Sequence, residues 1–110
     1  MTWQETLVSV MKKLGIPCEE IIYGGEEQVY STFNNSVIPT NYADDEPQHE
    51  RVLIQLHLFA PKVMDTRILR RQIKLSVHEA GFTYPSQVDA GDDDEQHITF
   101  EFETVEGTGL

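Results

Sequence analysis

Hydrophobic and polar positions alternate through residues 51–59. Val52, Ile54, Leu56 and Leu58 fall on one side of an extended chain, and Leu53, Gln55, His57 and Phe59 on the other. This predicts a central strand, Arg51 to Phe59. Pro61, which has no N–H to give, breaks its ladder, and Asp65 stands where a helix N-cap would be. The period then changes. Leu69, Ile73, Val77 and Ala80 recur at helical spacing, Gly81 suits the left-handed position after the helix, and Phe82 can fold back on the last turn.

The same patterns predict the remaining elements. Thr2 and Glu5 make a capping box before a helix whose apolar side is Trp3, Leu7, Val10, Met11 and Leu14, and Gly15 with Pro17 ends it. Ile16 to Tyr23 and Val29 to Phe33 read as short strands joined in a hairpin by Gly24-Gly25. Asn34 to Glu50, with two prolines and few apolar residues, reads as a long mobile loop. Phe82 to Val88, carrying Pro85, reads as an edge strand and Asp89 to Glu95 as an acidic turn. In the final strand, His97 to Val105, Ile98, Phe100 and Phe102 point inward and Thr99, Glu101 and Glu103 outward. Residues 106–110 read as a frayed tail. The expected fold is α+β in one domain, 1–110: a mostly antiparallel sheet of four to five strands with two helices packed on one face. The order is α-β-β-(long loop)-β-α-β-β.

Length and composition fit that reading. A chain of 110 residues, 39% hydrophobic and 25% charged, has the balance of one soluble globular domain. No apolar run approaches a membrane span, and the N-terminus lacks the basic and apolar regions of a secretory signal, so a cytosolic setting is the default. Cys18 is the single cysteine and reads as a small apolar residue.

Charge changes the picture more. The formal net charge is −11, with eight acids and no Lys or Arg between Leu14 and Glu50, and eight more acids without a base from Asp89 onward. Six of the eight bases lie between Arg51 and Lys74. Such a chain repels nucleic acid and anionic lipid on average. Arg67, Arg70, Arg71 and Lys74 sit at i, i+3, i+4 and i+7, one basic stripe on the second helix. A solvated face is the plain explanation of the stripe; a contact surface for an acidic protein, including another copy of this chain, is the sharper one.

Catalytic signatures are not found. There is no G-x-S-x-G, no phosphate-binding glycine loop and no paired histidine spacing, and His49, His57, His78 and His97 are isolated in sequence. Asp89, Asp92, Asp93, Asp94 and Glu95 lack the alternation and glycine of a calcium loop and read as a solvated turn. The reading is of a non-enzyme with no cofactor and no metal.

The sequence resembles the tail-terminator, or tail-completion, proteins of long-tailed bacteriophages and prophages. The resemblance rests on Val29 to Phe33 leading to Ile38-Pro39, then an acidic segment, the strand Arg51 to Phe59, the helix to Ala80-Gly81-Phe82 and the strand His97 to Phe102. It implies an α+β subunit that assembles as a ring, commonly a hexamer, on the head-proximal end of the tail tube. Such a ring ends tube polymerisation and presents the surface to which the head connector joins. The setting it implies is the host cytoplasm during assembly and then the virion tail. The resemblance places no contact residue by motif; the charge blocks suggest that Arg67, Arg70, Arg71 and Lys74 meet Asp44, Asp45 and Glu46, or Asp92, Asp93, Asp94 and Glu95, of a neighbouring copy. The competing reading is a non-viral acidic adaptor that binds one protein through the stripe or a sheet edge.

Overall fold

A computed structural model describes residues 1–43 and 46–107. Its elements are α1 (Trp3–Lys13), β1 (Cys18–Glu20), β2 (Tyr30–Ala43), β3 (Glu46–Pro61), α2 (Arg67–Glu79), β4 (Ser86–Asp89) and β5 (Glu95–Gly107). The strands form a five-stranded sheet in the order β1-β2-β3-β5-β4, mixed because β1 runs parallel to β2 while the other pairings are antiparallel. The fold is α+β, a mixed sheet with two helices.

Local chemistry sets the helix ends. At the start of α1 the Thr2 side chain accepts from the Glu5 N–H while the Glu5 carboxylate accepts from the Thr2 N–H. Both helices stop in the same way: Gly15 (φ 77°) and Gly81 (φ 108°) take the left-handed position, and the next residues, Ile16 and Phe82, donate backwards to Met11 O and Val77 O. Phe82 is thereby buried against Phe102, with ring centroids 5.2 Å apart. The start of α2 differs from expectation. Thr66, not Asp65, is the N-cap and makes no side-chain cap; Asp65 Oδ1 accepts from the Arg67 N–H from one position further out. Thr66 is committed elsewhere, its hydroxyl donating to Gln96 Oε1 at 2.7 Å.

The core lies between the helices and one face of the sheet. Leu7 and Met11 of α1, Ile73 and Val77 of α2, and the even-numbered residues Val52 to Leu58 and Ile98 to Phe102 form one buried cluster with Phe33. The strand alternation thus holds, whereas Ala80, expected to continue the seam of α2, is exposed at its C-cap.

Two predicted features are corrected. The first is the hairpin around Gly24-Gly25. β1 pairs parallel with β2, Cys18 opposite Ser31, because the Ser31 N–H and hydroxyl both donate to Pro17 O at 2.8 Å and fasten the start of β2 beside the start of β1. After Glu20 the chain leaves through Ile21 at φ 69°, with Ile22 N donating to Glu20 O, a γ-turn that is strained for a β-branched residue.

The second is the long loop 34–50. Residues 34–43 continue β2 and 46–50 begin β3, in a ladder that runs from Tyr30 opposite Phe59 to Ala43 opposite Glu46. Its polar composition resembles a loop because, among the described residues, no helix covers either side of it: from Asn34 to Pro39 every side chain is exposed. Pro39 is tolerated because, among the described residues, β2 has no outer neighbour there. Likewise Glu106 and Gly107, expected in a frayed tail, extend β5 opposite Glu50 and His49. These segments form an arm beyond the helices. The molecule measures 54 × 25 × 25 Å with a radius of gyration of 15.2 Å, against about 13 Å for a compact chain of this length.

Candidate functional site

Among the described residues no helix lies on the odd-numbered face of β3 and β5, and on it the sheet gathers aromatic and polar side chains. Because Tyr30, Phe59 and His97 are cross-strand neighbours, their rings stack in a row that begins with Tyr23: centroids are 4.5 Å apart for Tyr23 and Tyr30, 4.9 Å for Tyr30 and Phe59, and 4.4 Å for Phe59 and His97. Burial, then Glu95, then Tyr23 push the Tyr30 hydroxyl above the usual tyrosine range, so it stays neutral.

Beside this row the two histidines meet. His57 Nδ1 lies 2.8 Å from His97 Nε2 and 3.3 Å from Thr99 Oγ1, and His57 Nε2 lies 3.1 Å from the Asn34 amide. Burial first, and the neighbouring His97 second, lower the His57 pKa, which favours the neutral imidazole. The histidines called isolated in sequence are therefore a pair. The signal available was that both occupy the polar parity of strongly alternating strands; the register that puts Phe59 opposite His97 is needed to bring them together.

A groove of about 530 Å³ continues along the same face past Asn34, Gln55 and Glu101 to Ser36, Leu53, Glu103 and Tyr84. Arg51 crosses it to Glu103 with an N–O distance of 2.7 Å, both side chains well exposed.

The basic stripe is only partly available. Arg67 is held by Asp65 at 2.8 Å, and this bond drops the Asp65 carboxyl to about 2. Arg70 donates to Thr66 Oγ1 and Gln96 Oε1, each at 2.9 Å, while Gln96 Nε2 donates to Pro61 O and Met64 O. Arg70 thus fastens the β3–α2 junction to β5. Arg71 is exposed and Lys74 half-buried on the remaining part of the stripe.

The proposed acidic counterparts divide as well. Asp92 closes its own turn, accepting from the N–H groups of Asp94 and Glu95, and Lys62 donates to its carbonyl. Asp93 and Asp94 are exposed. Asp44 and Asp45 lie outside the described residues, and Glu46 pairs through its backbone with Ala43. Cys18 is buried and unbridged, and burial raises its thiol pKa, which suits an inert core residue. Among the described residues there is no group of three or more His, Cys, Asp or Glu placed to hold a metal, and no helix is long and apolar enough to cross a membrane.

No family model matches the sequence, and no curated protein matches it either. Solved structures do share the fold. One, a protein bearing a catalogue designation in place of a functional name, superposes with a TM-score of 0.60 at 11% identity, covering 96% of this chain and 90% of that one. Similarity at that identity speaks to the arrangement of elements alone.

Proposed function

We propose that this chain is a structural subunit of a phage or prophage tail, a terminator that caps the tail tube as a closed ring and offers the surface for head joining. The observation that carries the proposal is the arm. A ribbon of two or three strands with no helix beneath it is marginal in water, yet here it extends well past the last core residues, with the outer edge of β2 unpaired among the described residues from Asn34 onward. Such a segment gains its packing from a neighbour. In a ring, that neighbour is the next copy and the tube beneath it. The acid-rich surface suits a channel that must not grip passing DNA. Arg71 and Lys74, the less engaged part of the stripe, face acidic residues of the adjoining subunit and fix register more than they add affinity.

The test is native mass spectrometry and sedimentation of the chain with and without assembled tail tube. The expected result is a closed oligomer of one defined size, formed by the free chain or templated by the tube. A chain in which 38–51 is replaced by a two-residue turn, so that Val37 still faces Val52, keeps its helical circular dichroism and loses the ring. A subunit that stays monomeric against the tube and binds a single unrelated protein instead favours an adaptor that uses the same β2 edge.

A further inference from the structure

We propose that His57 and His97 together bind a divalent transition-metal ion on the uncovered face of the sheet, with Cu²⁺ preferred over Ni²⁺ and Zn²⁺. The inference does not depend on the tail-terminator reading. Two imidazole nitrogens 2.8 Å apart must have something positive between them, because bare lone pairs repel. In the metal-free protein that is one shared proton. A metal ion at about 2.0–2.1 Å from each nitrogen does the same work once the nitrogens move apart to roughly 3 Å. The nitrogens separate by only a few tenths of an ångström while the rings turn so that both lone pairs converge on the ion, and both rings are partly open to solvent on the side away from the core.

The surroundings suit an ion. As placed, Asn34 Nδ2 faces His57 Nε2 at 3.1 Å; with the amide turned over, its oxygen accepts from Nε2–H and Nδ1 keeps its lone pair for the metal, the outer support that histidine ligands ordinarily have. Phe59, stacked on His97, fixes the second ring. Thr99 Oγ1 stands 3.3 Å from Nδ1 as a weak third donor, and water fills the remaining positions. By strand parity Glu95 and Glu101 flank His97 and Thr99 on the same face, and the chain as a whole carries −11, so the local field favours a cation. Two imidazoles with no carboxylate ligand select borderline ions over Ca²⁺ or Mg²⁺, and copper leads for a given nitrogen set. With fewer than three strong protein ligands the ion exchanges and keeps open positions, so the site is a docking point and not a structural centre.

The experiment is a titration of the untagged, chelator-treated chain with ZnCl₂ and then CuCl₂, following the four histidine side chains by NMR and binding by calorimetry. The His57 and His97 ring signals are expected to move together and saturate near one equivalent, with His49 and His78 responding only at concentrations at least tenfold higher. His57→Gln and His97→Gln should each weaken Cu²⁺ binding at least tenfold, with the double variant no worse than either alone, and Asn34→Ala should weaken it about tenfold. The proposal is overturned if His57 and His97 move no earlier than His49 and His78, or if both single variants lose less than tenfold. The wild-type NMR titration decides even where a variant folds poorly.

Discussion

Within β2, Ser31 and Phe33 are no more than 2% exposed, yet from Asn34 through Pro39 six consecutive residues are exposed. The same contrast marks β3, where Val52 to Leu58 fill the core on alternate positions and His49 and Glu50 are half-open. Backbone pairing continues across the boundary without a break. Body and arm thus share their hydrogen-bond ladder and differ in what lies beneath it, which separates two sources of strand stability. In the body, register is enforced because a one-residue slip would turn Ile54 and Leu56 to the solvent; in the arm no such penalty exists.

The largest effect should come from testing the buried half. Phe100→Ala removes a fully buried ring and is expected to cost about 3–5 kcal/mol in urea unfolding, while Val37→Ala, on the exposed arm, should stay within about 0.5 kcal/mol. If the two losses were alike, the division into body and arm would be wrong. An intermediate effect is expected at Gly81, where a side chain meets no atom within 4 Å but φ is 108°; Gly81→Ala should cost about 1 kcal/mol through backbone strain alone. Smaller still is the Arg51–Glu103 pair near the root of the arm. Glu103→Gln should shift the unfolding midpoint by an amount worth about 0.5 kcal/mol or less, a difference that high salt removes.

The smallest effect is one of pH. Asp65 is held at about 2 by the side-chain and then the backbone bond from Arg67, below its ordinary value of 3.8. A depressed carboxyl stabilises the folded state above its unfolded pKa and stops doing so as pH falls through the folded value. The stability difference between the native chain and Asp65→Asn, measured in urea, should therefore be constant above about pH 5 and close between about pH 4 and 2.

Much of the body was legible in the sequence for physical reasons. The capping box at Thr2 and Glu5, the glycine stops at Gly15 and Gly81 and the alternation of 52–58 and 98–102 are local rules that the packing obeys. The arm was not legible, since a strand without a buried side has no period to show, and Asn34, Asn35 and Pro39 look like loop residues wherever they stand. The parallel β1 was hidden for another reason: it depends on Ser31 reaching Pro17, a contact made only after the chain has crossed back. The histidine pair was half-visible. Parity placed both rings on one side, but only the β3–β5 register, set by apolar residues on the opposite side, makes them neighbours.

One continuous strand joins the end of the arm to the threshold of α2, for β3 runs unbroken from Glu46 to Pro61. At about 3.3 Å per residue that is a beam of roughly 50 Å. Its far end is clamped, because Gln96 holds the Pro61 and Met64 carbonyls and receives Thr66 and Arg70 from the opening of α2. A partner that grasps the chain near Glu46 would therefore hold the same unbroken strand whose other end is tied to the first turn of α2, where Arg67 and Arg71 look outward.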